Sequence, residues 1–450
     1  MNILNIEELR VLKVNEADND YHISAETASP PSYCPHCGCV ANLQGYGGKE
    51  QLFMDTPSHG KRVGIHLHRK RYRCKECART FLEPLKFMDE SRSMTSRLVG
   101  YIEKHSLKRT FTSLSEEIGL DEKTIRNVFK DYSRQLEKHI NFATPKWLGI
   151  DEAHLLHSYR CVICNVKERT IVEILKNRNK PTVIDYLKQL PNKNNVEIVC
   201  MDMWATYRDS AKLVLPHAKI VIDKFHVVKG ANIALEKIRK AIRLTLTDAQ
   251  RKTLMHDRFT LLRRKSKLKP FQLLKLESWT LNFPELGLAH GLKEEFFDIF
   301  DTSKDRYEAL NRYQEWKGQM PPSMKPYFAE LNTSMKNWEQ EIFNYFDLPS
   351  KRATNAYTET LNGLIKIMNR NGRGYSFDVL RTKVLFTEGV HKVKRLNYKR
   401  TDIDRGFFPE MIAEPILVYE PEINLGASLS TLIQNMLADR KAPVSTRLSE

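Results

Sequence analysis

The sequence predicts a multidomain chain: a β unit stapled by four cysteines, a pair of short helices, and an α/β domain interrupted by an all-α insertion. Three observations carry that prediction. Two CxxC pairs, Cys34-x-x-Cys37 and Cys74-x-x-Cys77, bracket a series of short alternating segments. Helical spacing takes over between residues 95 and 140. From Trp147 onward apolar runs and helical runs follow in the order βββαβαβ, and a long all-helical block then breaks the pattern.

Composition bounds the function. A chain of 450 residues has room for two to four domains, and 41% hydrophobic with 28% charged residues excludes a disordered chain. Lys plus Arg number 72 against 55 Asp plus Glu, a net charge of +17 that attracts phosphates and makes nucleic acid the leading partner class. Surplus lysine that only aids solubility is the competing reading. The opening MNILNIEELRVLKV carries acids where a secretory signal needs positive charge, and no apolar run reaches the ~18 residues of a membrane span. A cytoplasmic protein without a membrane partner is expected. Eight cysteines are too few for a disulfide scaffold in so long a chain.

Residues 1–30 are polar, end in Ser29-Pro30-Pro31, and read as a lead-in. Residues 31–90 form the cysteine unit. Four thiolates in two CxxC turns across a β-rich insert suit one structural Zn2+, so a zinc ribbon held by Cys34, Cys37, Cys74 and Cys77 is expected. His36 and Cys39 are left out because four sulfurs already close the shell. The run His68-Arg-Lys-Arg-Tyr-Arg73 puts dense positive charge on this unit, for phosphates or simply for solvent. Cys161 and Cys164 share the CxxC spacing but lie in a predicted strand, where they read as core.

Residues 91–140 read as a helix-turn-helix. Ser113-Leu-Ser-Glu116 has a capping-box pattern, Gly119 supplies the turn, and Asp121 caps a second helix from Glu122 to Tyr132. On that helix Lys123, Thr124, Arg126 and Lys130 lie away from the apolar stripe of Ile125, Val128 and Phe129, as on a helix that enters a major groove. Any small helical bundle shows the same pattern. Because the basic motifs precede the acidic ones, residues 1–140 alone are expected to bind double-stranded DNA.

In the α/β domain, Asp151 follows the apolar strand Trp147–Ile150 and Asp202 follows the buried strand Val196–Met201, so both acids emerge at strand ends. Carboxylates brought together in this way repel unless a cation lies between them, and oxygen-only donors suit Mg2+. Glu359 is the third candidate, on a helix where Asn355, Glu359, Asn362 and Lys366 share one face. A glycine-loosened basic loop with Arg370 and Arg373 follows it, suited to a DNA backbone.

The strings Gly149-Ile-Asp151-Glu, Met201-Asp202-Met-Trp204, Asp223-Lys-Phe-His226-Val and Asn355 through Lys366 together resemble the bacterial DDE transposases of the ISL-three family. The resemblance extends over nearly the whole chain. It implies an RNase H-like fold with a helical insertion between the last strand and the glutamate helix, and a triad of Asp151, Asp202 and Glu359 holding Mg2+ or Mn2+. Asp223-x-x-His226 is similar to a C/D-x-x-H motif that follows the second aspartate in several insertion-bearing transposase families, which implies an accessory role. In these terms residues 146–230 and 351–400 make the catalytic core, the latter holding the glutamate helix and the helix after it; 231–350 is the insertion and 401–450 a C-terminal tail. The implied activity is binding of terminal inverted repeats, cleavage at the element ends and transfer of the 3′-hydroxyls to target DNA, by a homodimer or larger assembly that is nucleoid-associated when bound. A DNA-binding regulator without catalysis, and a metal-dependent nuclease without strand transfer, are the alternatives. Between Asp202 and Asp223 as second aspartate, Asp202 is favoured, because the fourth strand of an RNase H-like sheet lies beside the first.

Overall fold

The computed structural model describes residues 3–40, 42–348, 356–372, 374–387, 426–428 and 433, with side chains of the helix that begins at Ala356 described from Leu361 on. The chain divides into two compact units. Unit 1 comprises Met1–Asn141, Asn371–Pro421 and Ser430–Glu450; unit 2 comprises Phe142–Arg370 and Glu422–Leu429.

Unit 1 begins with β1 (Leu9–Glu16), β2 (Asp20–Thr27), β3 (Leu43–Ser58), β4 (Lys61–Cys74), β5 (Thr80–Leu82), β6 (Met88–Asp89) and β7 (Met94–Thr95). The sheet runs β1-β2-β4-β3-β7-β6, with β5 on β4. β3 and β4 form one long antiparallel hairpin, and its two-residue turn, His59-Gly60, has positive φ at both positions, the geometry that matches strand twist.

The N-terminal segment is not a lead-in. β1 and β2 form a hairpin whose second strand pairs in parallel with β4. Tyr21, Ile23 and Ala25 alternate inward and join Leu4, Ile6 and Leu9 in a core with Phe53, Val63, Ile65 and Leu67. Each large apolar side chain so buried contributes about 1.5–3 kcal/mol, which a polar edge strand conceals in the sequence. β1 is that edge, and most of its residues face solvent.

Three helices follow: α1 (Ser96–Ser106), α2 (Phe111–Ile118) and α3 (Glu122–His139). Gly119 ends α2 at φ +81°, where a side chain would be strained, and Asp121 caps α3 by accepting from the Thr124 N–H. The cap of α2 is Thr110, whose hydroxyl accepts from the Ser113 N–H, so Ser113 is one turn inside the helix. The S-x-x-E pattern misleads because Ser113 instead accepts from the Arg109 guanidinium.

Unit 2 holds β8 (Trp147–Leu155), β9 (Ser158–Asn165), β10 (Thr170–Ile174), α4 (Lys180–Gln189), β11 (Ile198–Met201), α5 (Ala205–Val214) and β12 (Lys219–Ile222). Strand order is β12-β11-β8-β9-β10, antiparallel among β8, β9 and β10 and parallel among β8, β11 and β12. Cys161 and Cys164 are both buried in this sheet's core. The helical part starts directly from β12 with α6 (Lys224–Ile242), seven residues before the boundary read from the sequence. It continues through α7 (Asp248–His256), α8 (Arg258–Leu262), α9 (Pro270–Asn282), α10 (Pro284–Thr302), α11 (Arg306–Gln319), α12 (Lys325–Asn337) and α13 (Glu339–Phe343). α6 packs on α10 and α12, and residues such as Leu235, Phe296 and Phe328 extend the sheet's core into the helices. α14 (Ala356–Asn371) carries the chain toward unit 1, and β13 (Ala427–Ser428) pairs with β10.

The last helix corrects the sequence reading. α15 (Phe377–Leu385) belongs to unit 1, not to the α/β core. Lys383 is buried there, with its ammonium donating to the carbonyls of Ser106, the last residue of α1, and of Arg109 in the connection to α2. The rings of Phe111, Phe129 and Tyr375 surround it at 4.7, 5.3 and 4.9 Å. Thr382 hydrogen-bonds Ser133, and Arg381 pairs with Glu137 on α3. A buried ammonium is costly without such partners, and unit 1 supplies them.

Candidate functional site

The ribbon cysteines converge. The sulfurs of Cys34, Cys37, Cys74 and Cys77 all lie within 4.8 Å of one another, with Cys34–Cys77 at 3.8 Å and Cys37–Cys74 at 3.7 Å. A tetrahedron with Zn–S bonds of about 2.3 Å has edges of about 3.8 Å, so the donor set fits structural zinc. Each CxxC turn is built by backbone: the Gly38 N–H donates to the Cys34 carbonyl, and the Cys74 N–H to the Arg79 carbonyl. Backbone N–H groups of Cys77 and Glu76 lower the Cys74 thiol toward the thiolate a metal needs, while at Cys37 the Cys39 backbone N–H is outweighed by burial and the neighbouring thiols, which raise that thiol.

In unit 2 the two aspartates stand side by side. β8 and β11 pair in parallel as far as Ile150↔Met201, so the next residue on each chain is Asp151 and Asp202. Only Asp202 emerges at a strand end. Asp151 lies within β8, which continues to Leu155 because Ala153 and Leu155 keep burying themselves while the strand pairs with β9. What ends at Ile150 is the pairing with β11, and that opens the edge on which Asp151 meets Asp202. Asp151 is buried, and its carboxyl is pushed up to about 7 by that burial and then by the charge of Asp202.

His226, on the first turn of α6, brings its Nδ1 to 2.8 Å from Asp202 Oδ1 and 3.9 Å from Asp223 Oδ2. Burial alone would lower its pKa, but the hydrogen bond and charge of Asp202, with Asp223 and Asp151 behind them, outweigh burial and raise it. Asp223 follows β12, one strand further out than Asp202, and caps α6 by accepting from the Phe225 N–H at 3.0 Å. The carboxamide of Asn362 on α14 donates to Asp151 Oδ2 at 2.9 Å and to the Glu152 carbonyl at 3.2 Å. Its own oxygen is buried without a hydrogen-bond partner among the described residues. Glu359 lies on α14 three positions before Asn362, and its side chain falls outside the described residues. The shared stripe on this helix was the signal for Asn362. Arg178, which pairs with Glu152, carried no signal at all, since it sits in a connection without pattern.

Among the DNA-facing candidates, Lys123 and Lys130 are exposed on α3. The Thr124 hydroxyl is engaged with the capping Asp121, and Arg126 hydrogen-bonds Glu122 at 2.9 Å with its guanidinium 5.0 Å from the Phe111 ring centroid. Asn127 is exposed on the same helix, and the charge pattern passed over it. Arg370 is exposed at the end of α14, and Arg373 lies outside the described residues.

A four-cysteine cluster on a β hairpin, a helix-turn-helix and an acidic pair on a mixed sheet are the parts of a transposase, the class that three family profiles show. Residues 148–384 match a family described as transposase, residues 30–77 the zinc finger of the transposases of IS204, IS1001, IS1096 and IS1165, and residues 83–133 the helix-turn-helix domain of transposase family ISL3. The chain belongs to the ISL3, or ISL-three, family of transposases. It is similar to the transposase for insertion sequence element IS1001 from Bordetella parapertussis, 23% identical over 349 residues that cover 76% of this chain and 85% of the relative. No helix among the described residues is long and apolar enough to cross a membrane.

Proposed function

We propose that unit 2 is an RNase H-like nucleotidyl-transfer domain that cuts the ends of an insertion element and joins them to target DNA, with divalent metal held by Asp151, Asp202 and Glu359. One observation carries the reading: the β8–β11 register makes the next residue on both strands an aspartate. Support for the fold comes from the strand order, in which the first strand sits between an antiparallel pair and two parallel strands. Support for metal comes from the donor set, two adjacent carboxylates that repel each other and a buried amide oxygen on α14 without a hydrogen-bond partner among the described residues.

Bound Mg2+ or Mn2+ would activate the attacking hydroxyl and stabilise the leaving oxygen of an in-line displacement. The chain's own residues do the rest. Asn362 fixes the Asp151 carboxylate by donating to Oδ2, and His226 holds the Asp202 carboxylate from the other side. Asp223 starts α6 and so fixes where His226 stands. The zinc ribbon and the exposed face of α3 grip terminal inverted repeats, and Arg370 and Arg373 follow the DNA backbone beyond the glutamate helix. Joining two ends calls for a dimer or larger assembly.

The test is a strand-transfer assay in which purified protein, a labelled element-end duplex and a target plasmid are combined with Mg2+. Covalent joining of the 3′ end to the plasmid is expected. Cleavage without joining would favour a nuclease, and repeat binding without cleavage a regulator.

A further inference from the structure

Arg178 lies on the connection between β10 and α4, outside every motif singled out above. Its guanidinium pairs with Glu152, the residue after Asp151. It also lies over two rings, 4.1 Å from the Tyr159 centroid and 4.6 Å from that of Trp204. These three partners come from three places in unit 2. Glu152 is on β8, and Tyr159 is on β9 opposite His154. Trp204 stands two residues after Asp202, and its N–H donates to the Asp202 carbonyl at 2.7 Å. The connection itself is pinned, because Arg160 donates to the Lys176 carbonyl and the Asn177 side chain accepts from the Asn179 N–H. One cation therefore ties the segment that carries Asp151 to the segment that carries Asp202.

We infer that Arg178 is a positioning residue: by tying Glu152 to Trp204 it holds the segment that carries Asp202 against the one that carries Asp151, just beyond the point where β8–β11 pairing ends. The inference rests on the metal reading given under Proposed function. Arginine suits this place because its planar group offers a flat face to rings and N–H edges to a carboxylate, which lysine does not. The tie adds little to folding. Arg178 and Glu152 are 31% and 32% exposed, and solvent screening offsets most of the gain from an ion pair at that level of exposure. Its consequence is geometric, and geometry at a metal site is what partners of the ligands control.

The experiment uses full-length wild type, Arg178→Met, Arg178→Lys and the Asp202→Asn control. Mn2+ binding is measured by electron paramagnetic resonance without DNA, and the Mg2+ half-saturation of end cleavage, terminal-repeat binding and melting temperature are measured alongside. Removing a residue that orients metal ligands costs about tenfold or more in affinity, so Arg178→Met should weaken Mn2+ binding and raise the Mg2+ half-saturation by roughly that factor, with Arg178→Lys in between. Terminal-repeat binding and melting should not change. Wild-type affinity for Mn2+ in both variants overturns the role of Arg178, and so does a loss of metal binding that comes with lowered melting and lost repeat binding. Wild-type protein that binds no Mn2+ overturns the metal reading itself, a result the variants do not mimic.

Discussion

Replacing Lys383 by Met asks where α15 belongs. In the wild type the Lys383 ammonium donates to two carbonyls, Ser106 and Arg109, and lies within 5.3 Å of three ring centroids. Methionine keeps the apolar length but leaves the carbonyls of Ser106 and Arg109, between α1 and α2, without this donor. A hydrogen bond to a charged group contributes about 1.5–3 kcal/mol and a desolvated cation–π contact about 2 kcal/mol. These terms overlap, so unit 1 should lose roughly 3–4 kcal/mol, or roughly 6–16 °C of its melting temperature at ~2–4 °C per kcal/mol. Differential scanning calorimetry of the full chain reads this, and the transition that terminal-repeat DNA raises identifies unit 1. An unmoved unit 1 transition with a lowered unit 2 transition would return α15 to the α/β core and refute the argument.

Purified protein should hold one zinc per chain, and Cys34→Ser or Cys77→Ser should lose it together with repeat binding, as read by elemental analysis. A metal-free wild type that still binds repeats would contradict the ribbon. Arg126→Ala should cost more on terminal repeats than on random DNA if Arg126 leaves Glu122 to read a base, while Lys123→Ala and Lys130→Ala should lower both alike and flatten the salt dependence. Equal losses for Arg126→Ala would make it a backbone contact or a brace for α3. The Asp151 carboxyl, raised from 3.8 to about 7, stays neutral in the folded protein up to about 7 while the unfolded chain loses that proton above about 4, so unit 2 is destabilised progressively as pH rises from about 4 to about 7. A metal must displace that proton, and Mn2+ affinity should climb about tenfold per pH unit up to about 7 and then level; calorimetric titration showing a flat profile from pH 5 to 8 would exclude the coupling.

The parts of the fold that were legible are those where one physical rule acts alone. The βββαβαβ order follows from apolar runs such as Ile198–Met201, buried on both faces. The cysteine cluster follows from a spacing that few other uses of cysteine produce. Where two rules compete, the sequence misleads. Tyr21, Ile23 and Ala25 alternate as a strand should, but Ser29-Pro30-Pro31 and the polar β1 drew attention to a lead-in. Ser113 begins a capping pattern that Thr110 completes one turn earlier. α15 follows the glutamate helix in sequence, so adjacency suggested the catalytic core, and only burial of Lys383 among unit 1 carbonyls reveals its place. Of the site, Asp151 and Asp202 were legible as acids after apolar runs and Asn362 by its place on the polar stripe of α14, but the continuation of β8 past Asp151, the bond from Asn362 to Asp151 and the tie through Arg178 depend on register and packing that no local pattern encodes.

The central claim is that Asp151 and Asp202, not Asp223, form the metal-binding pair, and paired substitutions test it most directly. Asp202→Asn removes a charge with little change in volume, so the protein should fold and bind terminal repeats while Mg2+- or Mn2+-dependent cleavage of element ends falls to background. Asp223→Asn keeps a side chain that caps α6 as well as aspartate does, so cleavage should survive at a reduced rate. Near wild-type cleavage by Asp202→Asn beside an inactive but folded Asp223→Asn would contradict the account and move the second metal ligand one strand outward.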